Sequence, residues 1–293
     1  MKILFAGHNE RGKACFDAII KSRHEMVGCL AIQSKETGYY EGLGNRAMAA
    51  NIHCYMQEEI NAPFFVNRLK ELGADIMVMA GYPRLVGRGL IDAFPKGVIN
   101  LHASPLPGYR GCDPLNWALI NGERAWAISF IQVDEGIDTG DILLQHKFEI
   151  DMNETIWDVV QRVNRLYPQH LMKLLDQIEE GRETYIKQDR SQGSYYGRRY
   201  PRDGKICWRD MDGLQVHNLV RALTRPYPGA FTYHKNEQRN IWKTSFVAPT
   251  HISAPGRVIR KSDQGIIVMC KDFGILISDM DGMDKIKIGD DLG

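Results

Sequence analysis

Short apolar runs alternate with helix-spaced apolar patterns through the first hundred residues, and no other feature restricts the fold as much. Residues 3–6, 26–32, 51–55, 75–80 and 97–101 read as strands, while 12–22, 42–50 and 62–72 carry apolar residues at helical spacing. Strands alternating with helices imply right-handed crossovers and a parallel, doubly wound sheet. In such a sheet the ligand sits in the crevice beyond the carboxyl ends of the strands.

Beyond this region a helix is expected after Asp113 through Leu119, a strand over 127–133 and another over 141–145 and 147–150. Residues 154–180 form one long helical stretch in which Pro168 marks a kink or break. Residues 188–205 are rich in Gly, Ser, Tyr and Arg without apolar periodicity and read as a linker or a substrate-facing loop. One helix over 214–223 then precedes short apolar runs at 230–233, 256–259, 266–269 and 275–279. That pattern suits a small β-barrel of about 90 residues. The expected architecture is an α/β, Rossmann-like, mostly parallel domain over 1–200 with a small OB-like β-barrel domain over 201–293.

Charge narrows the partners. Lys plus Arg is 37 and Asp plus Glu is 36 in 293 residues, a net charge of +1. Nothing in that balance calls for nucleic acid or an anionic membrane as an overall partner. No apolar run approaches the length of a spanning helix, and the apolar start M-K-I-L-F-A-G is cut short by Glu10 and Arg11, unlike a signal peptide. The six cysteines form no C-x-x-C pair. Reduced thiols filling the core of a cytoplasmic protein, with no metal site, are expected.

The stretch I-N-L-H-A-S-P-L-P-G-Y-R-G (99–111) ends an apolar strand in Asn100 and His102 and follows it with two prolines and two glycines. Their position at a strand end faces them to the crevice. Downstream, V-D-E-G-I-D-T-G-D (133–141) places three Asp and one Glu between glycines that let the loop bend close to a ligand. A histidine acting near neutral pH needs an orienting acid, which Asp138 or Asp134 supplies. An Asn beside it can donate its amide to a developing oxyanion. Asn, His and Asp together suit acyl transfer to a nucleophile carried by the substrate; the same letters also suit a polar loop capping strand ends. Arg110 can hold a phosphate or carboxylate bidentately, and Y-Y-G-R-R-Y-P-R (195–202) can grip a diphosphate and stack a base, or simply be a solvated loop. G-L-G-N-R-A (42–47) has the letters of a dinucleotide fingerprint, but it follows the second strand instead of the first. It reads as a helix start, with no nicotinamide cofactor implied. R-P-Y-P-G-A-F (225–231) reads as a rigid turn entering a strand.

N-L-H-A-S-P-L-P-G-Y-R-G followed by D-E-G-I-D-T-G-D-I resembles the 10-formyltetrahydrofolate-dependent formyltransferases. These include methionyl-tRNA, glycinamide ribonucleotide and nucleotide-sugar N-formyltransferases. The family's Asn, His and Asp fall on Asn100, His102 and Asp138. The resemblance implies folate near Met77, Ala80, Gly81 and Tyr82 and along Asp134, Gly136 and Ile137. It places the acceptor against Ser104, Tyr109 and Arg110, with Arg198 and Arg199. P-L-N-W-A-L-I-N-G-E (114–123), Y-G-R-R-Y-P-R-D (196–203) and L-V-R-A-L-T-R-P-Y-P-G-A-F (219–231) look most like the formyltransferase half of the bifunctional polymyxin-resistance enzyme, which acts on UDP-4-amino-4-deoxy-L-arabinose. The implied acceptor is therefore a UDP- or dTDP-linked amino sugar for cell-surface glycan (lipopolysaccharide) biosynthesis, and the implied assembly a homodimer. Methionyl-tRNA formylation is the alternative, against which Q-S-K-E-T-G-Y-Y-E-G (33–42) counts, with two acids and one lysine where a tRNA backbone asks for basic residues. From another class, a folate- or nucleotide-binding regulator has no need of all three of Asn100, His102 and Asp138.

Overall fold

The computed structural model describes residues 1–32, 42–56, 58–247 and 252–293. The acid-containing stretch that counted against tRNA lies, except for Gly42, outside the described residues. Two compact units divide the chain: Met1–Gly111, Ala127–Phe148 and Gln161–Tyr195 form the first, and Cys112–Trp126, Glu149–Val160 and Tyr196–Gly293 the second.

The first unit is built on a seven-stranded sheet. In chain order its strands are β1 (Lys2–Gly7), β2 (Glu25–Leu30), β3 (Cys54–Tyr55), β4 (Ile76–Ala80), β5 (Val98–His102), β7 (Ala125–Gln132) and β8 (Ile142–Glu149). A two-residue strand, β6 (Arg110–Gly111), falls between β5 and β7 in sequence. The order is β3-β2-β1-β4-β5-β7-β8. The ladders from β3 through β5 are parallel, and β7 runs antiparallel to β5. The sheet is thus the mostly parallel one the alternation implies. Ile3, Phe5, Ile76, Val78, Val98 and Ile99 have no exposed surface, which is what a sheet covered on both faces requires. Helices α1 (Asn9–Ile20), α2 (Leu43–Ala49), α3 (Pro63–Lys70) and α4 (Arg88–Ile91) fill the crossovers. Pro63 opens α3 at the first turn, where a missing N–H costs nothing. The G-L-G-N-R-A stretch is indeed a helix start, with Gly42 preceding α2.

Two register pairs position the site. Met79 of β4 lies opposite Asn100 of β5, and His102 lies opposite Ser129 of β7. Asn100 and His102 therefore occupy the carboxyl end of a central strand, where the parallel ladder gives way to the antiparallel one.

In the second unit, α5 (Pro114–Ile120) and α7 (Gly213–Leu223) pack together, and α7 covers a five-stranded antiparallel sheet. Its strands are β10 (Ala230–His234), β11 (Glu237–Phe246), β12 (Val258–Ser262), β13 (Gly265–Met269) and β14 (Gly274–Met280), in the order β10-β11-β14-β13-β12. Asp212 and Gln215 cap α7 reciprocally: each side chain accepts the other's backbone N–H, at 2.7 and 2.9 Å. Between the two sheets in sequence lie the helix α6 (Ile156–Glu179) and a two-residue strand β9 (Tyr195–Tyr196). α6 is continuous through Pro168, so of the expected kink or break the break is absent. Its buried stripe of Ile156, Val159, Val163, Tyr167, Leu171, Leu174 and Ile178 holds helical spacing across the proline. No described helix is long and apolar enough to cross a membrane. Of the six cysteines, Cys15, Cys29 and Cys270 fill core as expected, Cys54 is half-buried, and Cys112 and Cys207 are exposed; all six are free thiols.

Candidate active site

The end of β5 and two loops of the first unit converge on one imidazole. His102 is 7% exposed. Its Nε2 lies 2.8 Å from the carbonyl oxygen of Tyr109. A carbonyl can only accept, so Nε2 carries a proton and donates it. Across the ring, Nδ1 lies 3.5 Å from Oδ2 of Asp138. Asn100, 38 residues before Asp138, donates from Nδ2 to Oδ1 of that carboxylate at 3.2 Å. The backbone N–H of Gly111 donates to Oδ2 at 3.0 Å. Asp138 thus ties Asn100, His102 and the end of the stiff loop together. Asp134, the other acid the sequence offered as partner to His102, folds on its own loop. Its carboxylate accepts from the Thr139 hydroxyl at 2.6 Å and the Gly136 N–H at 3.0 Å, and pairs with Arg190 at 2.9 Å.

Two residues flanking the imidazole sit in the left-handed backbone region without being glycine: Tyr109 at φ 58° and Asp138 at φ 53°. Such positions cost of order 1–3 kcal/mol and persist only where the surroundings determine them. The turn between β5 and β6 is closed by Ser104, whose hydroxyl donates to the Gly108 carbonyl at 2.8 Å. In the loop before β8, Gly140 permits the closest approach: a Cβ there would lie 1.6 Å from the carbonyl oxygen of Gln132.

Several residues assigned to ligands by sequence have different surroundings. Ser104 has no exposed surface and serves the turn. Arg110, expected to face the acceptor, is 2% exposed. Its Nε and Nη2 donate to Oε1 of Gln188 at 3.3 and 2.9 Å, and its guanidinium lies 5.5 Å from the Tyr195 ring centre. Buried with these partners, the guanidinium braces the protein and offers no open fork to a phosphate. Met77 and Ala80 are fully buried in β4, so their side chains belong to the core. Gly81 follows them at φ 67°. Tyr82 is buried, its hydroxyl makes no hydrogen bond among the described residues, and burial pushes the phenol up to about 12. Ile137 is exposed, and Gly136 and Asp134 line a cavity of about 410 Å³ with Arg88, Ile91 and Arg190.

Arg198 and Arg199 belong to the second unit. With Asp113, Tyr200 and Tyr227 they line a cavity of about 180 Å³. The Arg199 guanidinium lies 4.6 Å from the Trp117 ring centre, and its Nε is buried without a hydrogen bond among the described residues. Arg198 is exposed.

Gln188 is the site residue that sequence reading missed. Its Nε2 donates to the Asp138 carbonyl at 3.0 Å and to the Gly140 carbonyl at 2.6 Å. A glutamine in a stretch without periodicity carries no signal of such a contact.

Comparison with known proteins shows the family. Residues 1–175 match the Formyl transferase family and residues 199–290 the Formyl transferase C-terminal domain. The chain belongs to the formyl transferase family. Among its curated relatives, the methionyl-tRNA formyltransferase of Ruminiclostridium cellulolyticum is 31% identical over 299 residues, covering 99% of this chain and 95% of that one. The methionyl-tRNA formyltransferase of Solibacter usitatus is 33% identical, covering 89% and 85%. Among solved structures, the N-formyltransferase of Helicobacter canadensis, in complex with folinic acid and dTDP-3-aminofucose, superposes with a TM-score of 0.75 at 20% identity, covering 95% of this chain and 99% of that one.

Proposed function

We propose that the protein transfers a formyl group from 10-formyltetrahydrofolate to a primary amine, and that Asn100, His102 and Asp138 carry the chemistry. The single observation behind this reading is the convergence of all three on the carboxylate of Asp138 at the end of a central strand. The amine nitrogen attacks the formyl carbon, and the C=O electron pair moves onto oxygen. Asn100 spends one amide N–H on Asp138 and keeps the second for that oxyanion. His102, with Nε2–H held by the Tyr109 carbonyl, has its basic lone pair on Nδ1. The proton shed by the amine ends there, beside the Asp138 carboxylate that stabilises the imidazolium. Collapse of the intermediate breaks the C–N bond to folate nitrogen, which keeps the bonding pair, takes that same proton from His102 and leaves as tetrahydrofolate, returning His102 to its neutral form. The donor lies by Tyr82 and the Asp134–Asp138 loop. A buried hydroxyl without a partner among the described residues, as at Tyr82, costs about 1–3 kcal/mol, which a polar group of the donor offsets. The folinic acid in the Helicobacter canadensis enzyme, a reduced formyl folate, supports a folate donor.

For the acceptor, the named relatives support the α-amine of methionyl-tRNA better: two methionyl-tRNA formyltransferases match at 31% and 33% identity. A second reading, the amine of a nucleotide-linked sugar, is favoured by the chain itself. Its net charge is +1, and residues 33–42 hold two acids and one lysine, where counterion release onto a tRNA backbone requires basic residues. The sugar nucleotide bound by the Helicobacter canadensis enzyme points the same way. Incubation with 10-formyltetrahydrofolate and either Met-tRNA or a panel of UDP- and dTDP-amino sugars, read by product mass, decides between them. Formyl-Met-tRNA alone supports the first acceptor, and a sugar nucleotide heavier by one formyl group supports the second. No tetrahydrofolate released with any acceptor sinks the whole reading.

A further inference from the structure

The two loops that hold His102 belong to distant parts of the sequence, yet each must stay within hydrogen-bond reach of the same ring. One presents the Tyr109 carbonyl to Nε2, and the other presents the Asp138 carboxylate to Nδ1. What joins them is a third segment, 188–195, which contributes no atom to the three residues themselves. Gln188 reaches both loops at once. Its Oε1 accepts from Nε and Nη2 of Arg110, the residue after Tyr109. Its Nε2 donates to the carbonyls of Asp138 and Gly140. The same segment ties each loop again. Ser194 accepts the Tyr109 N–H on its hydroxyl at 2.9 Å and the Arg110 N–H on its carbonyl at 2.9 Å. The Tyr195 hydroxyl donates to the Ile137 carbonyl at 3.3 Å.

We infer that Gln188 is a positioning residue for the proposed transfer, with Arg110 and the 188–195 segment forming a strut that fixes the distance between the Tyr109 carbonyl and the Asp138 carboxylate across His102. The inference rests on the proposed role of the three residues. It explains two features that role leaves unexplained. Tyr109 and Asp138 both hold left-handed backbone angles, and each lies where the strut hydrogen-bonds its main chain: the N–H of Tyr109 and the carbonyl of Asp138. The buried guanidinium of Arg110 also gains a purpose. Gln188 gives it a neutral acceptor on the element that also holds the Asp138 loop. Space for the guanidinium is left by Gly193, where a Cβ would lie 2.5 Å from Nη1 and 2.8 Å from Cζ of Arg110. Misplacing a reacting group by about 1 Å costs on the order of 10²-fold in rate, so a strut of this kind acts on kcat while touching no substrate.

Three variants test this. Gln188→Met removes every side-chain hydrogen bond at similar volume. Gln188→Glu keeps an acceptor for Arg110 and loses the donors to Asp138 and Gly140. Gly193→Ala pushes the guanidinium from the opposite side. Hydrogen exchange of the protein alone, measured over peptides covering 134–141, reports whether the loop is held, whatever the enzyme's acceptor. Turnover with the acceptor found by the mass assay reports whether holding matters. Exchange over 134–141 is expected to quicken at least tenfold in Gln188→Met and Gln188→Glu, and kcat to fall about 10- to 100-fold with both KM values within about threefold. Gly193→Ala is expected to follow in the same direction with a smaller loss. Unchanged exchange in all three overturns the strut. So does quickened exchange with full kcat, and so does a loss that appears in KM alone. A wild-type protein without turnover overturns the functional reading instead, while the exchange measurement still decides whether the strut exists.

Discussion

The turn after β5 and the segment from Tyr196 to Asp203 are alike in sequence: each gathers tyrosine, arginine, glycine and proline within a few residues. Their structures differ in what the arginines do. Arg110 is buried and committed to Gln188, so its charge is used inside the protein. Arg198 is exposed beside a small cavity, and Arg199 stacks on Trp117 with a buried Nε that lacks a hydrogen bond among the described residues. Composition alone makes both look like anion sites. Burial and hydrogen-bond accounting separate them: the first region holds the residues proposed to react, and in the second Arg199 donates to the Asp203 carbonyl at 2.8 Å while Arg198 keeps an exposed guanidinium.

The largest effect expected on the first region is at its centre. His102→Ala is expected to lower kcat by about 10²–10⁴-fold without unfolding the protein, as loss of a general base does; tetrahydrofolate release alongside thermal melting checks both halves. Asn100→Ala follows, with kcat down by about 10²–10³-fold if its free N–H serves the oxyanion, and a loss confined to KM breaks that assignment. Next come the two arginines, which sharpen the comparison directly. Arg110→Ala strips Gln188 of a charged donor and is expected to cost about 1.5–3 kcal/mol of stability, visible in denaturant unfolding. Arg198→Ala is expected to leave stability within about 0.5 kcal/mol and to raise the acceptor KM several-fold. If the two variants exchange phenotypes, the contrast drawn between the regions is wrong.

The smallest effect belongs to the second unit. Buried His217 has Nδ1 3.0 Å from the Thr244 hydroxyl and Nε2 3.1 Å from the Met152 carbonyl, an arrangement suited to a neutral ring that donates from Nε2. Burial, above all, holds its pKa below the ordinary histidine value of 6.5. The folded state therefore binds its proton less readily than the unfolded chain. The stability His217 contributes is present above pH 6.5 and is lost as pH falls from there toward its folded value. Melting of wild type should fall between pH 7.5 and 5.5, and His217→Gln should flatten that slope. An identical slope in both removes His217 from the account.

Much of the fold was legible because its signals are local. The alternation of apolar runs marks buried parallel strands, and Pro63 and Pro114 mark helix starts. β11, E-Q-R-N-I-W-K-T-S-F, was passed over because few of its side chains are buried, chiefly Ile241 and Thr244, and its partners in the ladder supply the rest. The continuity of α6 through Pro168 was hidden for a related reason: burial of its apolar stripe outweighs the proline's local cost, a tertiary effect no window of sequence contains. At the site, Asn100, His102 and Asp138 were readable as chemistry-bearing letters at strand and loop ends. Arg110 reads as exposed because an arginine in a loop ordinarily is, and the structure buries it. The residue that buries it, Gln188, lies 78 positions away in a stretch with no pattern of its own.

The account stands most directly on Asp138, since Asn100, His102 and Gly111 all meet at its carboxylate. Asp138→Asn preserves shape and suits the left-handed backbone, which Asn tolerates well. Steady-state release of tetrahydrofolate from 10-formyltetrahydrofolate, measured for this variant with its melting temperature, isolates the carboxylate's charge. The account predicts a kcat lower by about 10³-fold or more in a protein that melts within a few degrees of wild type. Near-wild-type turnover in Asp138→Asn would contradict it.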